Sequence, residues 1–230
     1  ACGERSRVPH PSWPMLLRSR LAMAASSRAH VIWLHGLGDS GESWSYLEDE
    51  LGPRFPGVSW EFPDAPDMPV SCNQGMEMPS WFDLRRIPVT RGEAHGGFEE
   101  AVAGVHALIQ KAEDEGIHAS CIVLGGFSQG GCLSLSSGLS APRQLAGICC
   151  LSGWLSKTSA PLAQLATPVL MCHGTSDNKV PFKAGNESAE ILQQAGCSKL
   201  RFREYLGLPH GTSPQEIKDV EAFLKGILAE

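Results

Sequence analysis

Cys121-Ile122-Val123-Leu124-Gly125-Gly126-Phe127-Ser128-Gln129-Gly130-Gly131 is the stretch that decides the fold. An apolar run of strand length, Cys121–Leu124, enters a cluster of glycines around one serine, and a helix-like run of small residues follows. Within it, Gly126-Phe127-Ser128-Gln129-Gly130 reads G-x-S-x-G. A nucleophile carried on a sharp strand-to-helix turn sits in a strained backbone, where glycine two positions before and two after avoids a collision. The pattern by itself is common; its placement between a strand and a helix is what the motif requires. No other serine of the chain has glycine at both offsets.

Working outward, strands alternate with helices. Strands are expected at His30–Leu34, Val58–Phe62, Leu145–Leu151, Pro168–Cys172 and Leu200–Tyr205. Helical spacing of apolar residues covers Gly97–Glu115 (Phe98, Val102, Val105, Leu108, Ile109), and helices are also expected at Phe182–Ala195 and Pro214–Leu228, with Ser213 as the cap. This alternation predicts an α/β class chain with a mostly parallel central sheet and helices on both faces, in one domain over 30–230; the G-x-S-x-G elbow between strand and helix is the one expected of an α/β-hydrolase fold.

With 230 residues the chain is long enough for a substantial core. Its formal net charge is −6, yet five of its 19 Lys and Arg and only one of its 25 acids fall in residues 1–29, so the body is more acidic than the total suggests. No basic run marks a nucleic-acid surface, and no segment approaches the ~18 apolar residues of a membrane span. Residues 1–29 are Arg-, Ser- and Ala-rich and read as a basic extension, either disordered or an organellar targeting segment. Of the eight cysteines, Cys121, Cys149, Cys150 and Cys172 fall in apolar runs and Cys132 in a core helix. None forms a C-x-x-C pair, so reduced thiols and a cytoplasmic setting are expected, with no metal and no cofactor.

Chain order selects the partners of Ser128. In this fold the acid follows the nucleophile and the histidine comes last. Beyond Ser128 only His173 and His210 are available, and the only Asp between Ser128 and His210 is Asp177. His173 precedes that Asp, so Asp177 and His210 complete the expected triad. His210 is expected to take the Ser128 proton and return it to the leaving group, while Asp177 fixes the imidazole tautomer. A tetrahedral intermediate also needs backbone N–H donors. Gln129, following the nucleophile, supplies one. Leu37, between two glycines in Leu34-His35-Gly36-Leu37-Gly38-Asp39, supplies the other, and His35 reads as a residue that shapes this loop.

These segments together resemble the acyl-protein thioesterase / lysophospholipase family of small carboxylesterase-like α/β hydrolases. The resemblance rests on Trp33–Gly41, Met78-Pro79-Ser80-Trp81-Phe82-Asp83, Gly125–Gly131, Leu151-Ser152-Gly153-Trp154-Leu155, Cys172-His173-Gly174 with Asp177 and Val180-Pro181, and His210. They occur in the family's order across nearly all of 30–230. The resemblance implies removal of palmitate-type acyl groups from protein cysteines, with S-acylated proteins or small acyl esters as substrates and transient contact with membrane surfaces. It implies activity on lysophospholipids as well. It further implies a hydrophobic acyl channel, for which motif match nominates Trp81, Trp154 and Val180 and apolar character nominates Met76, Met78 and Phe182. Val89–Gly97, Cys72-Asn73-Gln74-Gly75 and Gly207-Leu208-Pro209-His210 depart from the family pattern, which leaves acyl length open. The competing expectations are a short-chain carboxylesterase or deacetylase and, from another class, a non-catalytic hydrolase-fold ligand receptor.

Overall fold

A computed structural model describes residues 29–157 and 161–228. The basic extension expected at 1–29 lies outside the described residues except for Ala29. Six strands form one sheet: β1 (Ala29–Leu34), β2 (Val58–Glu61), β5 (Ile122–Phe127), β6 (Gly147–Leu151), β7 (Val169–Gly174) and β8 (Leu200–Tyr205). Their order is β2-β1-β5-β6-β7-β8, and every neighbouring pair is parallel. A separate antiparallel hairpin joins β3 (Asp67–Val70) to β4 (Met76–Pro79). The helices are α1 (Tyr46–Leu51), α2 (Phe98–Asp114), α3 (Gln129–Leu139), α4 (Phe182–Gln194) and α5 (Pro214–Leu228).

The four central strands read as continuous apolar runs because both faces are covered, with side chains alternating between two layers. Ile32, Leu34, Ile122 and Leu124 pack with α2 and α3, and Ile148, Cys150, Val169 and Met171 pack with α3 and α4. Val31, Trp33, Val123, Cys149, Leu151, Leu170 and Cys172 face the other way, against α1 and α5. The adjacent Cys149 and Cys150 therefore serve two different cores. All seven cysteines of the described residues are free, and burial pushes the Cys150 thiol up to about 12.

Strands and helices fall within a few residues of their expected places. The β3–β4 hairpin and α1 were not anticipated. Pro66, Pro69 and Pro79 break the alternation that would signal the hairpin, and α1 is six residues long, too short for its period to register.

Candidate active site

Strand β5 delivers Ser128 at the C-terminal edge of the sheet. Ser128 sits at φ +55°, ψ −115°, a positive φ that a side chain other than glycine rarely adopts, and α3 begins at the next residue. The turn is held by Ser128 N–H donating to Leu151 O at 2.8 Å. The flanking glycines are required by space. A Cβ on Gly126 would lie 2.6 Å from the Gly130 carbonyl carbon and 2.7 Å from Leu34 O; one on Gly130 would lie 2.2 Å from Leu34 O and 2.5 Å from His35 O.

The loop after β8 carries His210 back over this elbow. His210 Nε2 lies 2.9 Å from Ser128 Oγ, and Nδ1 lies 2.7 Å from Asp177 Oδ2. Phe127 supports the ring, with centroids 4.8 Å apart. Asp177 follows β7 and is buried. Its other oxygen, Oδ1, accepts the Lys179 and Val180 amide N–H groups, each at 2.9 Å. His173 Nε2 donates to Val180 O at 2.8 Å and lies 3.5 Å from Asp177 Oδ2. Burial pushes the Asp177 carboxyl up, but hydrogen bonds from His173 and His210, the His210 charge and the Lys179 N–H outweigh it and hold it well below the usual carboxylate range. An ionised carboxylate only accepts, so His210 carries its proton on Nδ1 and turns the Nε2 lone pair to the Ser128 hydroxyl.

Opposite the elbow, Gly36 approaches so closely that a Cβ there would sit 3.5 Å from Ser128 Cβ. Among the described residues neither the Leu37 nor the Gln129 amide N–H has a protein acceptor. Gln129 is also the first residue of α3, where the helix dipole favours negative charge.

A cleft of about 360 Å³ opens on Ser128 and His210, walled by Leu37, Met78, Leu84, Ile87, Val89 and Val180, with Asp39, Asn73 and Lys179 as polar members. Of the six side chains expected to bind an acyl chain, Met78 and Val180 line it. The other four do not. Trp154 is wholly buried and packs edge-on against Phe82. Trp81 donates its indole N–H to His35 O at 2.9 Å. Met76, 65% exposed, projects from the hairpin, and Phe182 packs against His173 and Phe202. The sequence reading overlooked Leu84, Ile87 and Val89. They lie in a stretch without secondary structure, tied to the acid loop by Val89 N–H donating to Lys179 O at 2.8 Å, so no periodicity marks them.

A groove of about 430 Å³ lies at the opposite edge of the sheet, lined by Arg54, Phe55, Val58, Cys121, Lys225 and Ile227. Ser120 in its wall meets His118 Nδ1 at 2.8 Å, but that pair is local and exposed, and open α/β sheets bind ligands at the carboxyl ends of their strands, so the smaller cleft is the functional candidate. No cluster of three or more His, Cys, Asp or Glu among the described residues is arranged to hold a metal ion, and no described helix is long and apolar enough to cross a membrane.

Comparison with known proteins gives the same picture. A probable carboxylesterase of Oryza sativa subsp. japonica is 42% identical over 215 residues, covering 90% of this chain and 80% of the relative. Acyl-protein thioesterase 1 of Cryptococcus neoformans is 40% identical over 216 residues, covering 85% and 91%. The crystal structure of Arabidopsis thaliana SOBER1 superposes with a TM-score of 0.81 at 38% identity, covering 87% of this chain and 99% of that one. Residues 22–228 match the Phospholipase/Carboxylesterase family over a span that contains the whole sheet and the cleft, and the chain belongs to that family of α/β hydrolases.

Proposed function

We propose that this chain is a serine hydrolase of acyl thioesters and esters, with Ser128, His210 and Asp177 as its catalytic triad and the Leu37 and Gln129 amides as its oxyanion hole. The observation that carries the reading is the unbroken relay from Asp177 Oδ2 through His210 to Ser128 Oγ, at 2.7 and 2.9 Å, with the Leu37 and Gln129 amides left without acceptors among the described residues. In the forward step Ser128 Oγ attacks the acyl carbonyl while His210 Nε2 takes the hydroxyl proton. The negative oxygen that develops is met by two N–H donors, each worth about 2.7–4 kcal/mol of barrier where such donors have been removed. Collapse breaks the bond to the leaving group, His210 returns the proton to it, and an acyl-enzyme remains. Water, deprotonated by His210, then releases the acid and regenerates Ser128.

A thiol, with a pKa of about 8.5, leaves far more readily than an alcohol. The same relay therefore serves both, and the substrate is chosen by the cleft. The apolar wall formed by Leu37, Met78, Leu84, Ile87, Val89 and Val180 supports an acyl chain there. The relatives named acyl-protein thioesterase support S-acylated protein as substrate, and the family resemblance of the sequence motifs extends this to acyl groups of the palmitoyl type. A second reading, a carboxylesterase or deacetylase for short acyl groups, is favoured by the placement of Trp81, Trp154 and Phe182 outside the cleft and by the relatives named carboxylesterase. The test is kcat/KM over an acyl series from acetyl to palmitoyl, as matched thioesters, oxyesters and lysophospholipids, against Ser128→Ala. Rates rising toward palmitoyl thioester support depalmitoylation. Rates confined to acetyl and butyryl move the assignment to the short-chain reading. Turnover no faster than Ser128→Ala across the series refutes both.

A further inference from the structure

The cleft places two amides beside Ser128 but does not by itself explain what holds them at a fixed separation. The answer starts at the peptide joining Gly36 to Leu37. In a trans peptide the C=O and the N–H point in opposite directions, and the only cis bond among the described residues is Ile87–Pro88. The Gly36 carbonyl is held from behind by His35 Nδ1 at 2.7 Å and by Asp39 N–H at 3.3 Å. The Leu37 N–H is thereby turned the other way.

His35 is itself fixed. It is completely buried, and its Nε2 receives the Ala65 amide N–H at 3.0 Å. An amide can only donate, so Nε2 is bare, Nδ1 carries the proton, and the neutral ring donates to Gly36 O. The His35 carbonyl accepts the Trp81 indole N–H at 2.9 Å, and the two rings lie 5.1 Å apart. Three residues down the loop from His35, Gly38 N–H donates to Pro79 O at 2.8 Å. The oxyanion loop is thus laced to the strip Pro79–Phe82.

That strip is gripped from the other side by Gln129, which is also wholly buried. Its Oε1 accepts the Trp81 N–H at 3.1 Å; its Nε2 donates to Phe82 O at 2.7 Å and to Ser80 Oγ at 3.0 Å. Backbone partners that can only donate or only accept fix which end of the amide is oxygen. The residue whose amide provides one oxyanion donor therefore uses its side chain to hold the strip that positions the other.

We propose that the Gln129 carboxamide, the Trp81 indole N–H and the His35 imidazole are positioning residues that lock the two oxyanion donors into one rigid unit. This rests on the triad reading above. It assigns Trp81 to placing the hole and not to lining an acyl channel, and it accounts for a glutamine directly after the nucleophile, where the backbone role alone would accept any residue.

The test uses Trp81→Phe, which keeps an aromatic ring and removes one N–H, and Gln129→Met, which keeps the amide and the length but removes three hydrogen bonds. The readouts are kcat and KM for short and long acyl esters, the affinity for a trifluoromethyl ketone that forms a tetrahedral oxyanion adduct on Ser128, and the Tm. The expected result is a kcat lower by about tenfold for Trp81→Phe and about a hundredfold for Gln129→Met, the scale of one lost hydrogen bond and of most of one donor. KM stays within about twofold, acyl-length preference is unchanged, and ketone affinity falls in step with kcat. Trp81→Phe at wild-type kcat overturns the proposal, as does a raised KM with altered chain-length preference, which would return Trp81 to acyl binding. Trp81 is only partly buried, so this variant carries the test if Gln129→Met fails to fold. A wild-type protein without turnover on any ester overturns the hydrolase reading and the positioning role together; an active wild type with unaffected variants overturns the positioning role alone.

Discussion

Replacing Asp177 with Asn keeps the size and shape of the side chain while reversing what it asks of His210. In the native site Oδ1 accepts two amide N–H groups, from Lys179 and Val180, both at 2.9 Å. If the Asn NH₂ took that position, the buried Val180 N–H and the half-buried Lys179 N–H would face a donor, a cost of about 1–3 kcal/mol for the buried group alone. The Asn oxygen therefore occupies the Oδ1 site, and its NH₂ replaces Oδ2 at 2.7 Å from His210 Nδ1. An NH₂ can only donate, so His210 gives up the Nδ1 proton and carries it on Nε2. The Nε2–H then points at Ser128 Oγ across 2.9 Å, and no lone pair remains to take the hydroxyl proton. Trapping the wrong tautomer in a triad of this geometry costs about 10⁴ in kcat, equivalent to about 5 kcal/mol of barrier. The assay is kcat on the best thioester and oxyester, with the Tm measured to confirm a folded protein. A folded Asp177→Asn variant within tenfold of wild type would refute the reasoning, because His210 would then be finding its tautomer without the carboxylate.

Three further outcomes follow from the packing. Gly130→Ala should reduce kcat/KM by more than a hundredfold and lower stability by about 3 kcal/mol in a denaturant titration, because the new Cβ meets backbone oxygens at 2.2 and 2.5 Å and the elbow must shift; wild-type activity would contradict the crowding. Gly185→Ala, inside α4, would ordinarily stabilise a helix by about 1 kcal/mol. Here its Cβ would lie 2.3 Å from His173 Nδ1, so no gain in Tm and a fall in kcat of about tenfold are expected as His173 leaves Asp177. Glu216 is completely buried, neither carboxylate oxygen has a hydrogen bond of good geometry among the described residues, and burial, opposed only in part by the Ser213 backbone, raises its pKa from 4.5 to about 8. Between those values the folded state keeps the proton and the unfolded chain releases it, so stability falls as pH rises and levels off above about 8, by at most about 5 kcal/mol. Glu216→Gln should therefore show little difference from wild type near pH 4.5 and a growing advantage in Tm up to about pH 8; a constant difference across that range would count against it.

Much of this site is legible in the sequence because its parts are constrained one residue at a time. Ser128 is marked by glycines that the elbow cannot do without, and Asp177 and His210 by chain order and by their loops at strand ends. The parallel sheet declares itself through apolar runs whose alternating faces meet two separate layers, as Cys149 and Cys150 do. What stayed hidden depends on where side chains point in three dimensions. Trp154 matches a family segment, yet it turns into the core beside Phe82. Ile87 and Val89 reach the cleft from a stretch with no period, and Trp81 gives its indole N–H to the His35 carbonyl. His173, discarded as a base because of its position in the order, lies 3.5 Å from the acid that the order selects. Its role is set by contact with Asp177 Oδ2 and Val180 O, which no linear spacing encodes.

The most direct test of the central claim, that Ser128 is the nucleophile of an acyl hydrolase, is intact mass spectrometry after incubation with a fluorophosphonate, followed by peptide mapping. The account predicts a single adduct on Ser128 in the wild type, none in Ser128→Ala, and much slower labelling in His210→Ala, with labelling and ester turnover lost together. An unmodified wild-type protein, or an adduct that persists on another residue when Ser128 is replaced, would contradict it.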